Sequence, residues 1–290
     1  MKTSKNLNID CTVILCCRNS EESISRCIES ILRNKPSELI VIDGFSTDRT
    51  PQVLSDLGVS YFQGLGRGLT TDRQFGIDLS KSEWSFFVDS DHVLPENFLS
   101  TMKNLIQQLD YTLIQSKLEI WNPKGLLNKG ENSYYEIVHN SSGEKIIPGI
   151  APAVFRTASL RSGQPLEIDD GMTATIDDTN WAIKALNLGA KIGIQGPKVS
   201  QFHISSTVGY YRKFKWYGIG DGEFCQAQPE RRKRHYFHLL IRYPVIYPYR
   251  ALRAGLPVAV PFLLMQGIVR GLWCAITDVK LFLTASKDVA

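Results

Sequence analysis

The triplet Asp89-Ser90-Asp91 closes a largely apolar run, Trp84–Val88, and sets two carboxylates one residue apart. At a strand end both can point into one cleft, where a hard divalent cation and phosphate oxygens would suit them; Mg²⁺ or Mn²⁺ held there would neutralise a diphosphate. Taken alone, the triplet is a weak signal that reads first as a solvated turn. A second acidic pair, Asp177-Asp178, precedes the apolar helical face Trp181, Ile183, Ala185, Leu186 and Leu188. A helix dipole stabilises acids at its start by about 0.3–1 kcal/mol, which explains either one without any chemistry. What surrounds these carboxylates decides between the readings.

Cys11–Cys17 is a β-branched apolar run, and Asn19–Asn34 follows with Ile24, Cys27, Ile28, Ile31 and Leu32 on one helical face. Leu39–Ile42 predicts a strand, Ser46–Leu57 a helix with Ser46 as N-cap, Val59–Phe62 a strand, Thr70–Leu79 a helix and Trp84–Val88 a strand. Short apolar strands alternating with amphipathic helices predict a parallel sheet covered on both faces. Such α/β sheets bind ligands at the carboxyl ends of their strands, which here carry Arg18-Asn19, Asp43-Gly44 and Asp89-Ser90-Asp91. Beyond residue 110, Thr112–Trp121, Lys145–Phe155 and Lys191–Gln195 predict strands of a mixed half, and Asp177–Leu188 a helix.

The order and content of residues 11–91 resemble family 2 of the GT-A glycosyltransferases. Cys11–Asn19 with the Glu21–Leu32 helix, Leu39–Thr50 (LIVIDGFSTDRT), Thr71–Gly76 (TDRQFG) and Phe86–Asp91 (FFVDSD) resemble four of its motifs in the right order. The resemblance extends more loosely to about residue 220. It implies a GT-A fold, a Rossmann-like, mostly parallel sheet flanked by helices, and inverting transfer of a sugar from a nucleotide-diphosphate donor. It also implies site residues. Arg18, Asn19 and Asp43 would face the donor, Arg73 would support base or diphosphate, Asp89 would lie near the ribose, and Asp91 would bind the metal with Asp89. Many members have two acids after the second strand, whereas the second position here is Gly44. Thr175–Ala190 is similar to the family's segment bearing the catalytic base, with Asp178 at the base position and Asp177 where Glu is usual. His203 stands where a histidine contributes to the cation in some members; His92 lies outside that pattern. Tyr210–Gly222 loosely resembles the segment that closes over donor or acceptor, with Lys213, Lys215, Trp216 and Tyr217 in it. The processive Q-x-x-R-W motif is absent, which points to single-sugar transfer, and Gly218, Gly220 and Gly222 suggest a mobile loop.

The net charge of +4 hides an uneven distribution: residues 210–254 hold ten Lys and Arg against three Asp and Glu. Arg231–Arg234 could contact nucleic acid. The aromatic residues Tyr236, Phe237, Tyr243, Tyr247 and Tyr249 and an apolar tail instead suit an anionic bilayer surface. Leu256–Ile276 contributes about −3 to −6 kcal/mol to insertion and Arg270 costs about 2.5–3.5 kcal/mol before Gln266, prolines and glycines count, so an interfacial helix is expected rather than a span. Six cysteines without a CxxC pair read as reduced thiols, and the seven-residue run Cys11–Cys17 as a strand rather than a signal segment.

The expected architecture is a catalytic domain over 1–205, divided near residue 92 into nucleotide-sugar and acceptor halves. A basic site-proximal loop or helix over 206–234 and an apolar, membrane-associating helical appendage over 235–290 complete it. The expected enzyme is a hexosyltransferase type (EC 2.4) on the cytoplasmic membrane face, peripheral or monotopic. It would use Mg²⁺ or Mn²⁺ and a lipid-linked or cell-envelope glycan acceptor, with no nucleic-acid partner. Two alternatives are a catalytically silent membrane scaffold of a glycan assembly complex and a sugar-nucleotide pyrophosphorylase. The latter would want a Gly-rich loop where this chain has Cys17-Arg18-Asn19-Ser20.

Overall fold

The computed structural model describes residues 9–140, 149–168, 177–202, 204 and 206–287. Its strands are β1 (Ile9–Cys17), β2 (Pro36–Asp43), β3 (Phe62–Gln63), β4 (Trp84–Asp89), β5 (His92–Val93), β6 (Leu113–Ile120), β7 (Ala153–Arg156) and β8 (Ile192–Gln201). Its α-helices are α1 (Ile24–Arg33), α2 (Thr50–Asp56), α3 (Leu69–Leu79), α4 (Phe98–Leu109), α5 (Gly125–Tyr134), α6 (Thr157–Leu160), α7 (Asp177–Asn187), α8 (Thr207–Ala227), α9 (Arg232–Phe237), α10 (Tyr247–Arg253) and α11 (Ala259–Lys287). They fall into two compact units: Met1–Leu118 with Ser142–Thr173 and Trp181–Phe202, and Glu119–Ser141 with Ala174–Asn180 and His203–Ala290. These units cut across the chain-order boundaries expected at 205/206 and 234/235. Residues 119–141 join the second because Tyr134 packs its ring on Tyr243 and Phe262.

The eight strands form one sheet in the order β3-β2-β1-β4-β7-β6-β8-β5. β3, β2, β1 and β4 are parallel; β7 runs antiparallel to β4 and β6, as does β5 to β8. Val13–Leu15, Ile40–Ile42 and Phe86–Val88 are buried, as strands covered on both faces must be. The register aligns Cys17 with Asp43, Asp43 with Gln63, and Cys16 with Asp89, so four strands deliver their polar ends to one edge. Gly76 lets α3 lie against the sheet, since a Cβ there would run into Ile14 and Ile42. The core beneath joins Ile14, Phe87, Phe155, Trp181 and Ile192.

Two helices start later than the periodicity predicts. α1 begins at Ile24 and α2 at Thr50, because the residues before them bond to each other instead of winding. Ser46 is not an N-cap; its hydroxyl accepts the Asn19 N–H at 2.9 Å, and Asp48 takes the Thr50 N–H at 3.0 Å.

In the second unit, α8 replaces the expected glycine loop with a continuous helix capped by Ser206, whose Oγ accepts the Gly209 N–H. Gly218 and Gly222 sit one turn apart against α11. A Cβ on Gly218 would lie 2.7 Å from the Arg270 carbonyl, and one on Gly222 2.6 Å from Thr277 Cβ. These glycines permit close helix contact rather than motion. Arg270, reckoned as a cost of insertion, turns inward and makes two 2.8 Å bonds to buried Asp221, which His235 also meets at 2.9 Å. Of the basic run, Arg232 is likewise spent on buried Asp278, whereas Lys233 and Arg234 are exposed. The outward face of α11 keeps Leu264, Ile268, Leu272, Ile276, Val279 and Phe282 in the open.

Candidate active site

The site is built at the sheet edge where β1, β2, β3 and β4 end. Asp43 is buried; its Oδ2 accepts the Ser46 N–H at 3.1 Å, and the Gln63 amide donates to its carbonyl at 2.6 Å. The turn after β1 is tied to the turn after β2 by Asn19, whose Oδ1 accepts the Thr47 N–H at 2.8 Å, and by the Ser20 N–H on Thr50 at 2.7 Å. Arg18 and Asn19 are exposed on that rim. The Ser20 and Ser90 hydroxyls meet at 2.7 Å, joining the same turn to the acidic triplet.

α3 carries Arg73 beneath β4. The guanidinium is buried, bonds Asp89 Oδ1 at 2.8 Å, and lies 5.8 Å from the Phe87 ring centre. Burial pushes the Asp89 carboxyl up, but the Arg73 guanidinium, by its charge and its hydrogen bond, opposes this and the carboxyl is held below the usual carboxylate range. Asp91 is oriented from the other side, its Oδ2 accepting the Gln201 amide at 2.8 Å and its carbonyl the Phe202 N–H.

Asp89, Asp91 and His92 bring one ligand atom each within 4.8 Å of one another. The two carboxylates suit a divalent cation that prefers oxygen. His92 Nδ1 accepts the Asp89 N–H at 3.1 Å, so the ring's proton sits on Nε2, 3.8 Å from Asp91 Oδ1. That tautomer makes His92 an orienting group for the two carboxylates and leaves the oxygens as the donors. Sequence reading set His92 aside and also missed Ser20, Gln63 and Gln201; only the polar residues adjoining strand ends signalled them. Phe45 is a further surprise. It is half exposed, holds φ +60°, and lays its ring over Gly66, a conformation that costs a bulky residue about 1–3 kcal/mol.

The remaining expected residues belong to the second unit. Asp178 stands in the first turn of α7, with its Oδ1 accepting the Thr179 N–H at 2.6 Å. The Asp177 side chain and His203 lie outside the described residues. The Lys213 ammonium bonds buried Glu131 at 2.7 Å, and Glu131 also accepts the Tyr210 hydroxyl at 2.6 Å. Lys215 lies over the Trp273 ring at 4.0 Å, and exposed Trp216 stacks on Tyr217. Tyr217 is flanked by Lys213 and Arg270 at 5.9 and 5.3 Å. Burial pushes its hydroxyl above the ordinary range, Lys213 and Arg270 oppose the rise, and Glu131 and Asp178 add to it.

Comparison with known proteins agrees with this geometry. The model of glycosyl transferase family 2 matches residues 12–165. Over 145 residues the chain is 30% identical to the poly(ribitol-phosphate) beta-N-acetylglucosaminyltransferase TarP of Staphylococcus aureus (strain N315), covering 45% of this chain and 44% of that one. It is 24% identical over 177 residues to the lipopolysaccharide core biosynthesis glycosyltransferase LpsC of Rhizobium meliloti (strain 1021), covering 55% and 65%. Each match thus spans less than two thirds of the relative's length. Among solved structures, S. aureus TarS 1-349 in complex with UDP superposes with a TM-score of 0.53 at 17% identity, covering 95% of this chain and 92% of that one. The same protein in complex with UDP-GlcNAc gives 0.53, covering 94% and 89%. The shared architecture is the GT-A fold.

Proposed function

This chain belongs to glycosyl transferase family 2, and from that premise we propose that it transfers a hexosyl group, with inversion, from a UDP-sugar to a hydroxyl of a cell-envelope or lipid-linked glycan. The observation that carries the reading is the row of Asp43, Asp89 and Asp91 at one sheet edge, with Arg73 locked to Asp89. The UDP and UDP-GlcNAc complexes of the TarS fold neighbour support the donor class, and the envelope-glycan relatives support the acceptor.

In this reading Asp43, together with Arg18 and Asn19, binds the nucleoside end of the donor. Arg73 fixes the Asp89 carboxylate in its ionised form, so that Asp89 and Asp91 together would hold Mg²⁺ or Mn²⁺. A cation bound there supplies charge neutralisation to the departing diphosphate. Asp178 takes the proton of the acceptor hydroxyl, a role that contributes about 10²–10⁴ in rate, with Asp177 beside it. Sugar transfer or slow UDP release from a UDP-sugar panel with Mn²⁺ tests the assignment. Activity lost in Asp91→Asn and Asp178→Asn, with UDP binding kept in the latter, is expected; no UDP release from any donor would refute it.

The second unit is read as the membrane-associating part. With Arg270 and Asp278 paired inside, α11 turns only apolar side chains outward as far as Val279. Leu240, Ile241, Val245, Tyr249 and Leu252 are exposed too, as are Lys233, Arg234, Arg250, Arg253 and Lys280. By length and composition α11 could cross a bilayer. The partner faces it has already committed to α8 favour an interfacial position. The cytoplasmic face is favoured by six cysteines that are all free thiols. Flotation of the full chain with anionic but not zwitterionic vesicles, and release by high salt, are the expected results; retention in both vesicle types through carbonate would indicate a span.

A further inference from the structure

The first unit has a second recess at the opposite end of β4 from the acidic triplet, a cleft of about 720 Å³. That volume lies within the range of small-molecule sites. Trp84, the first residue of β4, lines it, and so do Glu83, Asp110, Tyr111, Arg156 and Lys191. Trp84 is 4% exposed, yet its Nε1 donor has no partner among the described residues. Arg156, its cross-strand neighbour on β7, lies over the indole at 5.0 Å and meets Glu83 at 3.4 Å. A core tryptophan ordinarily spends its N–H on a carbonyl, as Trp181 does on Leu166. Trp84 instead leaves its donor unpaired and shut from solvent, on a side chain that forms part of the cleft wall.

We propose that this cleft binds an uncharged, hydroxyl-rich glycan segment. Its lining balances two cations, Arg156 and Lys191, against two carboxylates, Glu83 and Asp110. A phosphate or polyanion would face both carboxylates, and a cation would face both bases. Hydroxyls, which donate and accept at once, match both sets, and a hydroxyl oxygen entering beneath Arg156 would satisfy the Trp84 N–H. Asp89 is five residues further along the same strand, about 16 Å away at the usual rise. A glycan held at Trp84 would therefore be a distal part of an acceptor chain, kept near the transfer site by effective concentration. The glycan class rests on the glycosyltransferase reading; the existence of a binding cleft does not.

The test is nitrogen-15 indole spectroscopy on the full chain, with the Trp84 signal assigned through Trp84→Phe. Chitotriose, maltotriose, cellotriose, inorganic pyrophosphate and UDP are titrated separately. The expected result is a shift of the Trp84 signal by at least one trisaccharide and by neither anion, weakened tenfold or more in Arg156→Ala and Glu83→Ala, both at exposed positions. Those variants should raise KM for a polymeric acceptor and leave donor hydrolysis unchanged. No shift with any trisaccharide, or a shift with pyrophosphate, would overturn the proposal. A trisaccharide shift without any UDP binding would instead sink the donor assignment and leave the cleft standing.

Discussion

Asp89 and Asp91 are two residues apart and do different work. Asp89 is pinned by a buried guanidinium, and Asp91 is steered by the Gln201 amide. Replacing Arg73 with Met removes the charge that opposes burial, so the Asp89 carboxyl should rise toward and above its ordinary range and donor affinity should fall. Isothermal titration with UDP and Mn²⁺ across pH measures both. The sign of the wild-type effect follows from the depressed carboxyl. The Arg73–Asp89 pair should contribute stability above the unfolded-state carboxylate pKa of about 3.9 and lose it as pH falls through the lower folded value. Asp178→Asn should lower kcat by about 10²–10⁴ with UDP affinity intact, in single-turnover assays. The three strand-end aspartates were legible because apolar runs end where ligands bind in such sheets. Ser20 on Ser90 and Gln201 on Asp91 were not, since pairs 70 and 110 residues apart leave no local trace.

Among the elements, α8 and α11 hold the largest departure from sequence expectation. Alternating glycines usually mark a loop, but Gly218 and Gly222 one turn apart mark a face that another helix must approach closely. Gly222→Val should therefore cost about 1–3 kcal/mol or more in denaturant melts, since Thr277 and the Cys274 carbonyl leave no room for the added atoms. The buried ions between these helices behave differently from surface pairs. Asp221→Asn strands Arg270 and should cost about 3–5 kcal/mol, whereas an apolar double replacement of Asp221 and Arg270 should recover much of that. His238 gives the second unit an acid sensitivity. Burial, then the charges of Arg270, His235 and Arg242, push its pKa down to about 3. The unfolded chain binds a proton near pH 6.5 that the folded chain refuses, so stability should decline from about pH 6.5 toward 3. His238→Gln should flatten that part of the pH profile of the melting temperature.

At the scale of the whole molecule, the mild net charge is the average of an acidic sheet edge and a basic, aromatic helical unit. The alternation of strands and helices up to residue 92 was readable because each element carries its own period. The membership of residues 119–141 in the second unit was not, because it depends on tertiary packing of Tyr134 against Tyr243 and Phe262. The inward turn of Arg270 also escaped the insertion arithmetic, which counts its charge without its Asp221 partner. Reversing the charge of exposed Lys233 and Arg234 should weaken binding to anionic vesicles by about 1 kcal/mol per residue removed, or more for full reversal, in sedimentation assays.

The central claim is that one sheet edge binds a UDP-sugar through a cation held by Asp91. Thermal-shift measurement of the full chain with UDP-, GDP- and dTDP-sugars, with and without Mn²⁺, tests it in wild type and Asp91→Asn. A Mn²⁺-dependent rise with UDP-sugars alone, absent from Asp91→Asn, is the predicted result; no rise with any donor, or an equal rise in Asp91→Asn, would contradict it.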